Sequence, residues 1–210
     1  MPVRIVLADD HTVVRQGLRA LLEREGFEVV GEAADGREAI RIAATARPDV
    51  AVLDVSMPLL NGIDAAREIA KSESRTRPIL LTMHTEDNYV LEALRAGVMG
   101  YVLKTRAAEE LVQAIRDVCK GGIYLSSGVS RAVVQAFLNK SDLPQSPLTD
   151  RERQVLQLVA EGKTSKEIAT ILGISVKTAE SHRTNMMDKL DIHDTAGLVK
   201  YAIQQGLIEI

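Results

Sequence analysis

The sequence is poor in cysteine and in long apolar runs. Its 210 residues include a single cysteine, Cys119, so an intrachain disulfide is impossible and a disulfide-stabilised secreted scaffold is excluded. The apolar stretch near the N-terminus, residues 5–8, stops at two aspartates and is too short for a signal peptide or a membrane span. We therefore expect a cytoplasmic protein that does not associate with membranes.

An excess of positive charge is also missing. The chain has 26 Lys and Arg residues against 29 Asp and Glu residues, a net charge of -3, so no general attraction to nucleic acid is expected. Any DNA binding must then rest on locally placed charges. With 46% hydrophobic residues, the composition is that of a globular protein, and the length suits one large domain or two small ones.

Short apolar runs alternate with stretches of helical period over residues 3–120. The runs that predict strands are 3–8, 29–33, 50–53, 79–81 and 101–103. The stretches that predict helices are 12–25, 37–46, 62–71, 87–96 and 107–119. Five strand–helix units in series predict a doubly wound, flavodoxin-like (βα)5 fold with a five-stranded parallel sheet.

The pattern changes after Cys119. Residues 121–147 contain Gly-Gly, several serines and two prolines, which predicts a linker with one helix ending near Leu138. Residues 148–210 show only helical patterns, at 150–161, 165–172, 176–190 and 195–205, and the first two open with capping boxes. A three-residue turn with Gly173 separates the second and third helices, as in helix-turn-helix proteins. The predicted domains are thus 1–120, a linker 121–147, and a small all-α domain 148–210.

Polar side chains stand where four predicted strands end. The residues are Asp9, Asp10, Asp54, Thr82 and Lys104. Any one of them alone is ordinarily a helix cap or a solvated charge, but five at four strand ends are hard to explain in that way. Three carboxylates in one crevice repel, so either one is protonated or a divalent cation lies between them. Oxygen ligands favour magnesium over zinc, and the lysine can neutralise the remaining charge or hold an anion.

Other kinds of site receive less support. The turn after the first strand is Asp-Asp-His-Thr, without the glycines that a phosphate-binding nucleotide loop needs. His11 and His84 are near the carboxylates, yet no His/Cys spacing indicates a transition-metal site, and both are expected to be exposed at helix starts. No Ser-His-acid or Cys-His arrangement is present.

With these motifs, the chain resembles a two-component response regulator of the NarL/FixJ subfamily. The receiver motifs are Asp9-Asp10, Asp54-Val-Ser-Met57-Pro58-Leu-Leu-Asn61-Gly62, Thr82, Tyr101 and Lys104. The LuxR-type helix-turn-helix motifs are Leu148-Thr-Asp-Arg-Glu152-Arg-Gln-Val-Leu, Lys166-Glu-Ile-Ala and Ser175-Val-Lys-Thr178-Ala-Glu-Ser-His182-Arg. The two resemblances together extend over nearly the whole chain.

The resemblance implies a phosphorylation site. Asp54 is the phosphoacceptor, and a sensor histidine kinase is the donor. Mg²⁺ is held by Asp10, Asp54 and the carbonyl of Ser56, and by Asp9 through water. The phosphoryl group then attracts the Thr82 hydroxyl, Lys104 neutralises charge, and Tyr101 rotates into the space that the threonine leaves. Many family members have proline after the lysine, where this chain has Thr105.

The resemblance also implies that the helix 176–190 enters the major groove of promoter DNA. Glu180, Ser181 and Thr184 fall where the family reads bases, although an intrahelical pair of Glu180 with Lys177 or Arg183 is equally open. The remaining candidates for phosphate or structural contacts are Lys177, Thr178, His182, Arg183 and Lys189. Residues 141–210 carry a net charge of -2, so a single subunit should bind weakly and phosphorylation-controlled homodimerisation becomes the control step.

The implied function is a phosphorylation-activated transcription regulator that acts on the transcription machinery and is not an enzyme. One alternative is a magnesium-dependent phosphotransferase or phosphatase on the same sheet. It would need a second catalytic acid after Asp54, where Val55 and Ser56 stand. Another alternative is a receiver fold that regulates without phosphate, and the presence of the full set of site residues argues against it.

Overall fold

The computed structural model describes residues 1–72, 75–85, 87–127, 129 and 147–208. Nearly all of residues 1–143 form one compact unit, the N-terminal unit, and residues 144–210 belong to a second, the C-terminal unit. Within the described ranges, no helix has the length and apolar character needed to cross a bilayer.

The N-terminal unit is built on a parallel sheet. Its strands are β1 (Arg4–Ala8), β2 (Glu28–Ala33), β3 (Val50–Asp54), β4 (Arg77–Thr82), β5 (Gly100–Leu103) and β6 (Tyr124–Leu125), in the order β2-β1-β3-β4-β5-β6. The predicted doubly wound fold is confirmed. The sheet has one strand more than predicted, because two residues after the last helix pair with the edge strand β5.

Helices cover both faces of this sheet. They are α1 (Thr12–Arg24), α2 (Gly36–Ala46), α3 (Gly62–Lys71), α4 (Asp87–Arg95) and α5 (Ala107–Cys119), and a short 3-10 helix, Lys104–Arg106, precedes α5. Leu22 of α1 and Ile115 of α5 join the core on one face, together with alternate residues of the strands. Ala43 of α2 and Ile69 of α3 are buried elsewhere in the unit. Burial on both faces explains why the strands are almost continuously apolar.

The order of the strands decides where a site can form. From β1 the chain goes first to β2 on one side and then to β3 on the other, so the order reverses between β1 and β3. In open α/β sheets the ligand crevice lies outside the carboxyl ends of the strands at such a reversal. Asp9, which directly follows β1, and Asp54, which ends β3, stand at this point.

The C-terminal unit contains four described helices, as predicted. They are α6 (Asp150–Ala160), α7 (Ser165–Leu172), α8 (Val176–Leu190) and α9 (Thr195–Gln204). Both predicted capping boxes form at the starts of α6 and α7. Gly173 ends α7 in the left-handed region, with φ of 64°, and the Ser175 side chain accepts the first capping bond of α8.

An apolar core holds the four helices together. Leu156 of α6, Ile168 of α7, Met186 of α8 and Leu198 of α9 are almost completely buried in it. Because one apolar stripe of each helix is used in this core, the opposite face of α8 stays free of the unit's own packing. The predicted linker helix, ending near Leu138, lies outside the described residues.

Candidate functional site

Four polar side chains gather at the carboxyl edge of the sheet. Asp9, Asp54 and Thr82 follow or end β1, β3 and β4 and are at most 3% exposed. Lys104 follows β5, and its ammonium lies 2.8 Å from Asp54 Oδ2 and 3.0 Å from Asp9 Oδ2. Asp10 is more exposed than its neighbour Asp9. The structure therefore brings together the residues that the sequence placed at separate strand ends.

The environment shifts the pKa values of the paired groups. Burial raises the pKa of Asp54 to about 6, although the Lys104 ammonium opposes this change, and the Asp9 carboxylate adds to it. Burial alone would lower the pKa of Lys104, but its two carboxylate partners outweigh burial and raise it. At pH 7 the Asp54 carboxylate is mostly ionised and the Lys104 ammonium is protonated.

The cluster has the donors that a hard divalent cation needs. One ligand atom from each of Asp9, Asp10, His11 and Asp54 lies within 4.8 Å of the others. Three carboxylates and the Lys104 ammonium leave a net charge of -2, which a divalent cation would neutralise. Carboxylate oxygens suit magnesium, whereas an imidazole does not. His11 is exposed and its Nδ1 lies 2.8 Å from Asp10 Oδ1.

The loop after Asp54 leaves no room for a side chain at Gly62. A Cβ atom built there would lie 1.9 Å from the Asp54 carbonyl oxygen, and the Gly62 amide donates to the Val55 carbonyl at 2.9 Å. Asn61 caps α3 by accepting the Asp64 amide at 2.9 Å. The sequence identified Asn61-Gly62 as a turn, but the close approach to the Asp54 backbone was missed. The backbone at Gly62 approaches the backbone at Asp54 only when the loop between them has folded.

Thr82 and Tyr101 both form hydrogen bonds with the backbone of His84. The His84 amide donates to Thr82 Oγ1 at 3.0 Å, and the Tyr101 hydroxyl donates to the His84 carbonyl at 3.0 Å. The His84 ring stacks on Tyr89 with ring centroids 4.1 Å apart. The expectation of an exposed His84 is therefore wrong, since its ring is half-buried against an aromatic neighbour. Tyr101 is already buried, so the predicted rotation does not start from an exposed side chain.

Arg15 is a second residue that sequence reasoning missed. One guanidinium nitrogen donates to the Asp9 carbonyl at 2.6 Å, and Nε pairs with Glu32 on β2 at 3.1 Å. The arginine therefore fixes the turn that carries the acidic pair. Its position four residues after His11 on α1 gave no signal of this contact.

In the C-terminal unit, four of the predicted DNA-contact residues share one exposed face of α8. Lys177, Glu180, Ser181 and Thr184 follow the spacing i, i+3, i+4, i+7 and are all exposed. Ala179 and Met186 lie on the buried side of the same helix. This face can reach a groove without disturbing the core.

Thr178 and Arg183, two other candidates on α8, have partners within the unit. Thr178 is bonded to the capping Ser175, with 2.7 Å between the two hydroxyl oxygens. Arg183 is half-buried and donates to Thr195 Oγ1 at 3.4 Å, and His182 is half-buried. In the part of the chain that the structure describes, Glu180 forms no ion pair with Lys177 or Arg183.

Lys189 is committed to a contact with α6. Its ammonium lies 2.7 Å from Glu152 Oε2, and the Glu152 side chain is only 5% exposed. Glu152 also accepts the Thr149 amide at 2.8 Å in the capping box of α6. Of the two roles that the sequence left open for Lys189, this geometry favours the structural one. Because Glu152 holds its ammonium, we expect Lys189 to make no contact with DNA phosphates.

Comparisons with known proteins give two family matches. Residues 5–116 match the family described as the response regulator receiver domain. Residues 146–202 match the family described as bacterial regulatory proteins of the luxR family. The first match alone extends over more than half of the chain.

Similar proteins match along the full length. The transcriptional regulatory protein LiaR of Bacillus subtilis is 40% identical over 209 residues, which cover 98% of this chain and 99% of LiaR. The oxygen regulatory protein NreC of Staphylococcus epidermidis is 39% identical, with 99% of this chain and 100% of NreC covered.

Solved structures give the same result. A structure of RcsB from Salmonella typhimurium superposes with a TM-score of 0.67 at 30% identity, covering 97% of this chain and 98% of that chain. A structure of two RcsB dimers bound to two parallel DNAs gives a TM-score of 0.59 at 30% identity and the same coverage.

Proposed function

The chain belongs to the response regulators that join a receiver domain to a LuxR-type DNA-binding domain, the NarL/FixJ subfamily, and we propose that phosphorylation of Asp54 controls its binding to promoter DNA. As a member of this family it is a DNA-binding transcription regulator and not an enzyme. The observation that carries the proposal is the Asp54 carboxylate, buried at the switch point of the sheet and 2.8 Å from the Lys104 ammonium.

The proposed reaction is attack of an Asp54 carboxylate oxygen on the phosphorus of a phosphohistidine in a sensor histidine kinase. The phosphorus–nitrogen bond breaks and an acyl phosphate forms, so the carboxyl group must be ionised beforehand. Burial raises the pKa of Asp54 to about 6, which leaves the carboxylate available at pH 7. Lys104 moves from its carboxylate partners to the transferred phosphoryl oxygens and neutralises their charge.

We assign the magnesium ligands to Asp10, Asp54 and the carbonyl of Ser56, with Asp9 acting through water. These ligands fit Mg²⁺, because the carboxylate oxygens lie close together and carry a net negative charge. When bound, the ion supplies charge neutralisation and orientation for the phosphoryl oxygens. Arg15 fixes the turn between the acidic pair and α1 through its bond to the Asp9 carbonyl.

Thr82 and Tyr101 form the proposed switch. Thr82 Oγ1 accepts the His84 amide, so its own proton is available for a phosphoryl oxygen at Asp54. A shift of the hydroxyl towards the phosphate moves His84, and the Tyr101 hydroxyl follows because it is bonded to the His84 carbonyl. The loop before α4 then changes its surface.

We propose that the rearranged surface promotes a homodimer, which binds double-stranded promoter DNA through α8 and acts on the transcription machinery. The net charge of -2 over residues 141–210 makes one subunit a weak DNA binder, and pairing doubles the phosphate contacts. The structure of RcsB dimers on DNA supports this arrangement for a similar protein. Because a transcription regulator acts on promoter DNA, we propose that the protein is located in the cytoplasm.

We propose the domain boundaries 1–120 for the receiver, 121–147 for the linker and 148–210 for the DNA-binding domain. The last residues of α5 and the first of α6 lie on either side of the proposed linker. Tyr124–Leu125 at its start pair with the receiver sheet, so the linker begins attached to the receiver.

The test uses acetyl phosphate as a small phosphodonor on the full chain. We expect magnesium-dependent incorporation of one phosphoryl group in the parent and in Asp49→Asn, a matched control just before β3. Asp54→Asn should incorporate none, because an amide oxygen is a poor nucleophile. Equal incorporation in Asp54→Asn would falsify the assignment.

The switch is tested by Thr82→Ala. This variant should accept phosphate at Asp54 but show a weaker rise in dimerisation and DNA binding, measured by analytical ultracentrifugation and by fluorescence anisotropy. If phosphorylated Thr82→Ala dimerises as strongly as the phosphorylated parent, the threonine does not transmit the signal.

A further inference from the structure

The segment that follows α5, residues 124–126, forms hydrogen bonds with the edge of the receiver sheet. β6 pairs in parallel with β5, the Tyr124 amide donates to the Met99 carbonyl at 2.9 Å, and the Ser126 amide donates to the Tyr101 carbonyl at 2.9 Å. These bonds bring Ser126 beside the end of β5, where the loop with Lys104 begins.

The Ser126 side chain makes two bonds at this position. It is 2% exposed, and its hydroxyl oxygen accepts the Leu103 amide at 3.1 Å while its proton goes to the Glu110 carboxylate. Leu103 directly precedes Lys104 and is the N-cap residue of the 3-10 helix Lys104–Arg106. The hydroxyl therefore satisfies a backbone donor beside the phosphate-binding lysine.

Glu110 fixes the direction of the Ser126 hydroxyl. The carboxylate lies in the first turn of α5 and also accepts from Arg106 at 3.3 Å. Burial, followed by the nearby Glu110 charge, raises the pKa of Tyr124, so the β6 tyrosine borders the same carboxylate. With the proton directed to Glu110, a lone pair of the hydroxyl stays directed to the Leu103 amide.

We propose that Ser126 is a positioning residue for Lys104, and that it couples the docking of β6 to phosphorylation at Asp54. The bond from the Leu103 amide to Ser126 fixes the backbone position of the next residue, Lys104. From that position the lysine side chain reaches both Asp54 and Asp9. This inference rests on the proposed role of Lys104 in holding the phosphoryl group.

The coupling acts in both directions. Undocking of β6 removes Ser126 from the Leu103 amide and lets the Lys104 loop move away from the carboxylates. By linkage, a phosphoryl group that holds Lys104 in place favours the docked β6. Because the chain continues from β6 through residues 130–146 to the DNA-binding domain, the phosphorylation state is communicated to the start of the linker.

The test compares the full-length parent, Ser126→Ala and the control Ser127→Ala, which changes the exposed neighbouring serine. The probe is beryllofluoride, a phosphoryl analogue, titrated at saturating Mg²⁺, and Mg²⁺ affinity is measured separately. Ser126→Ala should weaken beryllofluoride binding by about tenfold, as is usual for residues that orient a ligand-binding group. Its Mg²⁺ affinity should not fall, because Lys104 is not a metal ligand and its displacement leaves the Asp9 and Asp54 carboxylates less neutralised. A general loss of structure would weaken both.

Amide hydrogen exchange tests the reverse direction. Saturating beryllofluoride should slow exchange of the Tyr124 and Ser126 amides about fivefold or more in the parent and in Ser127→Ala. In Ser126→Ala the exchange at Tyr124 should not respond, because the link between β6 and the Lys104 loop is cut. Ser126→Thr, which keeps a hydroxyl, should restore both the affinity and the response.

Each result decides between the hypotheses. If Ser126→Ala binds beryllofluoride as tightly as the parent, the positioning role is wrong. If Ser126→Ala does not fold, Glu110→Ala takes its place, because alanine removes the acceptor of the Ser126 proton, and unchanged beryllofluoride affinity in that variant also overturns the inference. If the parent itself shows no binding that depends on Asp54, the proposed function fails first.

Discussion

The polar cluster of the receiver lies at the ends of four strands, with Asp9, Asp54 and Thr82 buried, whereas the proposed DNA-reading face is exposed along the single helix α8. Asp54 and Thr82 are almost fully buried, and Asp54 pairs with Lys104, which is far away in the sequence. Glu180 and Thr184 are exposed. A phosphotransfer site must exclude water and fix charges, but a recognition face must remain accessible to DNA.

This difference between a buried and an exposed site predicts how far the effect of a substitution spreads. In the receiver, a change at one strand end alters the positions of its neighbours, because the side chains share partners such as Lys104. On α8, a change on the exposed face alters one contact with DNA and leaves the helix intact. We expect the effects on protein stability to be large in the first region and small in the second.

The largest effect is expected at Gly62. In Gly62→Ala the new methyl group collides with the Asp54 carbonyl oxygen, a backbone atom that cannot rotate away. We expect a loss of more than about 3 kcal/mol in the free energy of unfolding and no phosphorylation at Asp54. Urea unfolding and acetyl phosphate labelling measure the two effects.

Gly17→Ala is the matched control for Gly62→Ala. Gly17 lies within α1, and a Cβ atom there meets nothing within 4 Å. Alanine should therefore stabilise the protein by about 0.5–1 kcal/mol through its higher helix propensity. If Gly62→Ala behaves like Gly17→Ala, the close approach to Asp54 does not constrain the site.

A medium effect is expected at Lys189, which distinguishes structural cations from DNA-facing ones. Lys189→Ala leaves the buried Glu152 carboxylate without its ammonium partner. Because Lys189 itself is 41% exposed, we expect a loss of about 1–2 kcal/mol in unfolding free energy. The salt dependence of DNA binding should stay the same, and a flatter dependence would return Lys189 to the DNA interface.

The same pair predicts a pH dependence of stability. Burial alone would raise the pKa of Glu152, but the Lys189 ammonium and the donors of Thr149 outweigh it and hold the pKa below its usual value of 4.5. A lowered pKa means that the folded state favours the carboxylate, so the contribution is complete above pH 4.5 and is lost as the pH falls below it. The stability difference between the parent and Lys189→Ala should therefore shrink between pH 6 and pH 3. A constant difference would mean that Glu152 and Lys189 are not coupled.

The smallest effects on stability are expected on the exposed face of α8. The proposed phosphate contacts are Lys177 on this face and the half-buried Arg183, whose bond to Thr195 Oγ1 is long at 3.4 Å. With these two cations a dimer neutralises about four phosphates, and the slope of log K against log salt is about -4. Lys177→Ala should reduce this slope to about -2 and weaken all sequences alike. Salt titrations on a cognate and a scrambled site measure the slope.

Ser181→Ala is the counterpart of Lys177→Ala. It should keep the slope and alter the preference between sites, with less than about 0.5 kcal/mol change in unfolding free energy. The lost bond to the Lys177 carbonyl is exposed, and water replaces it. A changed slope in Ser181→Ala would contradict the division into base-reading and phosphate-contacting residues.

The sequence predicted the secondary structure well because local patterns determine it. For the residues that the structure describes, apolar runs and helical periods predicted the five main strands and nine α-helices within a few residues of their observed bounds. Thr149, Thr164 and Ser175 cap their helices as predicted, since a capping bond reaches only three residues along the chain. The two-residue β6 was missed, because so short a pairing leaves no periodic signal.

The sequence by itself also determined the composition of both sites. Strand ends marked Asp9, Asp54, Thr82 and Lys104 as neighbours, because the carboxyl ends of parallel strands share one edge. The spacing along α8 selected its exposed face in the same way.

Only the tertiary structure decided which side chains contact one another. His84 between Thr82 and Tyr101, Ser126 beside Leu103, and the pairing of Lys189 with Glu152 all join distant parts of the chain. Such contacts depend on how elements pack against one another, and packing is a cooperative property that no local pattern records. The sequence therefore shows which chemical groups are available, and the fold decides which of them bind DNA or phosphate and which hold the protein together.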